Sequence, residues 1–104
     1  MAEEATEMTR EEVASFAGAL LLEFGAEWCG YCRALAPVVE ELAMDFPDVT
    51  HMKIEDGPGK PLGRSFQVKL WPTLVFLKEG VVRKIAVRPD RAQVLEGFHA
   101  VSAD

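Results

Sequence analysis

The sequence predicts an α/β domain built on a central mixed sheet of about four strands, with helices on both faces. Three observations carry that prediction. Strand-like apolar runs alternate with helical patterns over the first two thirds of the chain, an order that makes parallel neighbours joined by crossover helices. The last third holds two strand-like runs separated only by Glu79–Gly80, the signature of an antiparallel hairpin. Finally, "ALLLEF" at 19–24 is apolar at almost every position, as a strand covered on both faces must be. With 104 residues, the chain is expected to form one domain, 1–104.

The elements follow in order. Thr9 with Glu12 three residues later has the form of a capping box, which predicts a short helix over 10–17. The run 19–24 lies between Gly18 and Gly25 and is the candidate central strand. Leu35, Val38, Val39, Leu42 and Phe46 recur at helical spacing, with Glu40, Glu41 and Asp45 turned away. They predict an amphipathic helix from the cysteines to about residue 46, kinked at Pro37. "VTHMKIE" (49–55) alternates like a strand, "DGPGKP" (56–61) is a loop, and a short helix fits 61–67. "TLVFLK" (73–78) and "VVRKIAV" (81–87) form the hairpin. Asp90 with Gln93 caps a last helix to about residue 100, in which Val94, Leu95 and Phe98 should face the core.

Composition narrows the function. The chain is 49% hydrophobic and 27% charged, too apolar for a disordered segment. Five acids (Glu3, Glu4, Glu7, Glu11, Glu12) against Arg10 give residues 1–12 a net charge of −4, out of −6 for the whole chain. Residues 1–8 are therefore expected to be an acidic, mobile, solvated segment. No basic stripe with interleaved aromatics offers a nucleic-acid surface. No apolar run is long enough to span a bilayer, and the N-terminus lacks the basic and apolar regions of a secretory signal. The expectation is a cytoplasmic monomer without nucleic-acid or membrane partners.

The chemistry is concentrated in "AEWCGYCR" (26–33), which contains the two cysteines of the chain, Cys29 and Cys32. Positions i and i+3 of a helix lie about 5–6 Å apart, overlapping the Cα separation of about 4.4–6.8 Å that a disulfide needs. The two sulfurs can thus bond and part with little backbone movement. The helix N-terminus favours thiolate over thiol. A chain entering the helix from a strand tip would hold Cys29 at the surface as the nucleophile and Cys32 one turn deeper as the resolving thiol. Other readings stay open from the residues alone. A structural bridge would close a tiny loop worth roughly 2 kcal/mol. A zinc site needs about four ligands, and only His51 and His99 are available, far apart and read as a strand residue and a helix-surface residue. Two inert buried thiols fit poorly beside Trp28, Gly30 and Tyr31. The redox dithiol is the preferred reading. "GPGK" (57–60) resembles a phosphate loop but lacks its glycine spacing and the Ser/Thr after the lysine. Met44 and Met52 fall at core spacing.

Two longer blocks carry a resemblance. "LLLEFGAEWCGYCRALAPVVEELA" is similar to the active-site strand and helix of the thioredoxin family, and "WPTLVFLKEG" to that family's proline–threonine strand and turn. The resemblance covers about residues 19–99 and implies a thioredoxin fold. It also implies a thiol–disulfide oxidoreductase that reduces disulfides of partner proteins and is re-reduced by a reductase or other dithiol donor, with no cofactor and no metal. It implies Trp28, Cys29, Gly30 and Cys32 as the active-site motif, Pro37 as the helix proline, and Pro72 as the cis-proline that aligns a substrate strand. Glu23 takes the place of a buried aspartate, and Lys53 that of its companion lysine. Independently, a carboxylate inside an apolar strand is costly unless paired or protonated. Burial should raise its pKa and suit it to serve Cys32 as a base. Pairing with Lys53 is the simpler alternative role.

Four departures reshape the expected substrate face. Tyr31 replaces a proline, Gly25 an aromatic residue, Trp71 a smaller aliphatic, and Arg88 a glycine. Trp28, Gly30, Tyr31, Trp71, Pro72 and Arg88 are the expected substrate-binding residues. The departures also motivate an alternative, a thioredoxin-fold binding or assembly module, or chaperone, whose dithiol is secondary; an isomerase or oxidase is a further one. Tyr31 restores a backbone N–H that proline lacks, which should stabilise the thiolate and make the protein less reducing.

Overall fold

A computed structural model of the chain describes the backbone of residues 3–4 and all of residues 8–102. The order is β1 (Glu3–Glu4), α1 (Arg10–Ala14), β2 (Ala19–Gly25), α2 (Gly30–Ala43), β3 (Val49–Glu55), α3 (Pro61–Ser65), β4 (Thr73–Lys78), β5 (Val81–Val87) and α4 (Arg91–Val101). The sheet runs β1-β3-β2-β4-β5. β3 is parallel to both β1 and β2, while β4 is antiparallel to β2 and β5. The four expected strands are β2–β5, and Glu3–Glu4 add a two-residue edge pairing to β3. The expectation of a mobile 1–8 segment otherwise lies outside the described residues.

The central position of β2 explains its composition. Alternate residues of a strand point to opposite faces, and both faces are covered. Ala19 and Leu21, with Val49, Leu74 and Phe76, pack against Leu35, Val39 and Leu42 of α2 and Val94, Phe98 and Val101 of α4. Leu20, Leu22 and Phe24, with Ile54, Val75 and Leu77, pack against Val13 of α1, Leu62 of α3 and Phe66 just beyond it. Each fully buried large side chain contributes about 1.5–3 kcal/mol relative to exposure. The end of β2 is therefore a fixed point from which α2 starts.

Helix boundaries follow the capping chemistry. Thr9 and Asp90 each form the reciprocal capping box, with Glu12 and Gln93. α1 is shorter than expected, stopping at Ala14, and α2 ends at Ala43, leaving Phe46 buried from the turn beyond it. Two core expectations are corrected. Leu95 is 36% exposed because Val94, Gly97, Phe98 and Val101 form the inner face of α4. Met44 is 81% exposed, since it stands at the C-cap of α2 where the inward face has passed. Among the described residues no helix is long and apolar enough to cross a membrane.

The β4–β5 hairpin turns on Glu79 (φ 51°) and Gly80 (φ 77°), the two left-handed positions of a type I′ turn. Glu79 is tied back to Gly18 by its amide and its carboxylate, both at 3.0 Å. A Cβ on Gly80 would run into the backbone carbonyl of Ala14. Gly80→Ala combines left-handed strain with overpacking and should cost about 2–4 kcal/mol. The measurement is urea unfolding, which should show a lower midpoint at an unchanged slope.

Candidate active site

β2 ends at Gly25, and Cys29 stands at the N-cap of α2 with extended backbone angles (φ −80°, ψ 118°). The Cys32 amide donates to Cys29 Sγ at 3.2 Å. The sulfur occupies the position normally taken by a Ser or Asp oxygen, accepting one of the orphan N–H groups that open a helix. The turn is braced by Arg33, whose Nε donates to the Glu27 carbonyl at 3.0 Å. Both thiols are free.

The second wall comes from the start of β4. The Trp71–Pro72 peptide is cis, and the Trp71 carbonyl lies 4.0 Å from Cys29 Sγ. The Trp71 indole donates to Asp56 Oδ2 at 2.9 Å and meets the Trp28 ring edge-on, with centroids 5.3 Å apart. Arg88 stands in the left-handed region at φ 47°, which accounts for a glycine being the residue it replaces. Its amide donates to the Pro72 carbonyl and its Nε to the Trp71 carbonyl, both at 2.8 Å. Its guanidinium carbon lies 4.1 Å from the Tyr31 ring centroid, a cation–π contact. Trp28, Cys29, Tyr31, Trp71, Pro72 and Arg88 are thus gathered around one sulfur. Trp28 and Tyr31 remain largely exposed, and Gly30 is exposed on the first turn of α2.

Local cover and depth differ for the two thiols: Cys32 sits deeper among protein atoms, as expected, while Cys29 is shielded by its near neighbours. Cys29 is only 6% exposed, while Cys32 is half-buried. Cys29 is covered locally from the Trp71 side. Cys32 opens onto a cavity because Gly25 has no side chain; a Cβ there would sit 2.7 Å from Cys32 Sγ.

The two sulfurs differ in acidity. Burial opposes ionisation of Cys29, but it is outweighed by hydrogen bonds from the Cys32 side chain and from the Cys32 and Tyr31 backbones, and by the positive charge of Arg88. The balance lowers the pKa of Cys29 below that of an ordinary thiol. Burial pushes Cys32 the other way, up to about 11, reinforced by its contact with Cys29 and by the negative charges of Cys29 and Glu23, against a hydrogen bond from Ala26. A thiolate is the reactive form, so Cys29 is the sulfur equipped to attack.

The cavity below Cys32, of about 470 Å³, is lined by Glu23, Lys53, Arg33 and Glu40 among others. In the parallel register Glu23 is the neighbour of Lys53. The pairing of Glu23 with Lys53 is nevertheless corrected, because the Glu23 carboxylate meets His51 Nε2 at 2.7 Å with both residues buried. Val49, His51 and Lys53 share one face of β3, the face that Leu21 and Glu23 present on β2. The imidazole two residues before Lys53 therefore reaches the acid, while Lys53 lines the cavity. His99, the other histidine, is exposed on α4 with its ring against Phe46. The sequence presents His51 only as a strand residue and gives no role to Asp56. For His51 the available signal was a polar residue at an inward position of an alternating strand.

Removing the Arg88 charge tests the acidity argument. Arg88→Gly suits the left-handed backbone and deletes the guanidinium. The pH profile of Cys29 alkylation should move to higher pH, with Cys32 remaining the slow thiol; an unmoved profile would show that Arg88 does not act on the sulfur.

Comparison with known proteins agrees with this geometry. The family model described as Thioredoxin matches residues 1–99. A thioredoxin H-type of Ricinus communis is 34% identical over 88 residues, which are 83% of this chain and 75% of its own. A thioredoxin of Chlamydia pneumoniae is 41% identical over 63 residues, 61% of this chain and 62% of its own. Among solved structures, that of thioredoxin 2 from Pseudomonas aeruginosa PAO1 in its reduced form is 46% identical with a TM-score of 0.83, over 97% of this chain and 94% of that one. The chain belongs to the thioredoxin family, whose members are protein-disulfide oxidoreductases.

Proposed function

We propose that this thiol–disulfide oxidoreductase reduces disulfides of partner proteins through Cys29 and Cys32, as a cytoplasmic monomer re-reduced by a thioredoxin reductase or other dithiol donor. The observation that carries this reading is the opposed acidity of two thiols one helical turn apart. The Cys29 thiolate attacks a sulfur of the partner's disulfide. One partner sulfur leaves as a thiolate and takes a proton, and Cys29 is held in a mixed disulfide. Cys32 then gives up its proton and attacks Cys29 Sγ. The second partner sulfur departs, and the Cys29–Cys32 disulfide remains. Two electrons have passed from the dithiol to the partner.

The remaining roles follow from position. Cys32 is a weak acid and needs a proton acceptor. Glu23 lines the same cavity and is the group for that task, with Lys53 beside it. Trp28, Gly30, Tyr31, Trp71 and Pro72 form the surface on which an extended partner segment is held. Arg88 clasps Tyr31 to the Trp71 carbonyl, so docking a partner backbone on that carbonyl requires the guanidinium to be displaced. The same clasp motivates the second reading, a binding module with an incidental dithiol.

Cysteine variants separate the two readings. Cys29→Ser should bring dithiothreitol-driven insulin reduction down to background, and Cys32→Ser should accumulate mixed disulfides with partner proteins. Turnover that survives Cys29→Ser, or partner capture that survives loss of both cysteines, contradicts the exchange reading. Tyr31→Pro removes one amide donor and the ring under Arg88. About 30 mV corresponds to about 1.4 kcal/mol for a dithiol couple, and a hydrogen bond to a charged group is worth about 1.5–3 kcal/mol. The potential of Tyr31→Pro, measured in a glutathione buffer, should therefore fall by tens of millivolts, because the reduced thiolate form has lost stabilisation.

A further inference from the structure

The buried pair of Glu23 and His51 is not explained by folding alone. Glu23 is 5% and His51 7% exposed, and a buried acid–imidazole contact contributes little net stability compared with an apolar pair. Its two ends face different places. Glu23 lines the cavity under Cys32. His51 lines a second cavity of about 400 Å³, on the other side of the contact, between the end of α2 and the start of β3. Among the described residues, no buried side-chain nitrogen or oxygen lacks a partner. Glu23 Oε2 and His51 Nδ1 make no hydrogen bond there, since the pair joins through Oε1 and Nε2. Both atoms therefore keep some accessible surface.

We propose that His51 is a positioning residue for the resolving step: it pins Glu23 through Oε1 and so leaves Oε2 to take the proton of Cys32. The inference rests on Glu23 being the proton acceptor for Cys32. With neutral imidazole, Nε2–H donates to Oε1, and Oε2 is free to take the proton that Cys32 loses as its sulfur attacks Cys29. The other charged groups facing the pair are Glu40 of α2, which borders both cavities, and Lys53, Arg33, Glu27 and Glu55 around the first.

The test isolates resolution. Reduced protein is mixed with dithiobis(nitrobenzoate), which caps Cys29, and release of the second coloured thiolate by Cys32 is followed in a stopped-flow instrument across pH. His51→Leu should slow resolution about tenfold, part of the hundredfold or more that a positioned general base contributes. His51→Gln retains an amide donor for Oε1, and it should recover most of that speed relative to His51→Leu.

Equal rates for His51→Leu and wild type, or a His51→Gln variant as slow as His51→Leu, overturn the inference. Glu23→Gln separates this failure from failure of the underlying reading. If Glu23→Gln slows resolution while the His51 variants do not, only the role of His51 falls. If Glu23→Gln has no effect, the acceptor role of Glu23 falls with it.

Discussion

The amide of Cys32, aimed at the sulfur of Cys29 from 3.2 Å, is the interaction on which the site depends. It exists because α2 begins at Gly30 with Cys29 as its cap. That start is held in place by Leu35, Val39 and Leu42, packed against a strand buried on both faces. A sulfur in the cap position is stabilised as an anion by the same orphan donors that favour any acceptor there. One turn later the helix returns Cys32 to the first sulfur, but on its inner side. A single helix start thus produces an acidic thiol and a weakly acidic one three positions apart.

The surroundings amplify that difference instead of averaging it. On the outer side, Arg88 brings positive charge to Cys29, and the Tyr31 amide adds a donor. On the inner side, Cys32 meets burial and the negative charge of Glu23. The outer groups also restrain one another: Asp56 holds the Trp71 indole, Trp71 abuts Trp28, and Arg88 spans from the Trp71 carbonyl to the Tyr31 ring. Aromatic side chains, a cation and the cis Trp71–Pro72 peptide make a surface with both apolar area and hydrogen-bonding backbone. The inner side is open because Gly25 presents no side chain to Cys32, which gives the resolving thiol access to a cavity and to a carboxylate.

Much of this was legible in the sequence, for reasons that differ by element. The continuous apolar run of β2, the capping boxes at Thr9 and Asp90, and the two-residue hairpin turn are local signals, and local chemistry decided them. The dithiol was legible because spacing, the helix N-terminus and the flanking aromatics all belong to one short stretch. What remained hidden depends on register and on packing across the sheet. His51 could be matched to Glu23 only once β3 was known to run parallel to β2 with Glu23 beside Lys53. The cover over Cys29 depends on Trp71, more than forty positions away along the chain. Leu95 and Met44 carried apolar character at plausible spacing, yet they fell just outside the inward arc of their helices. The β1 pairing offered no sequence signal, being two glutamates at a sheet edge.

One helix start separates the two thiols in acidity, and titration of the reduced protein by thiolate ultraviolet absorbance reads that separation. Two well-separated steps are expected. The first belongs to Cys29 and lies below the ordinary thiol range. The second lies near pH 11 and is absent from Cys32→Ser. Two thiols titrating together near the ordinary value, or a first step that survives Cys29→Ser, would contradict it.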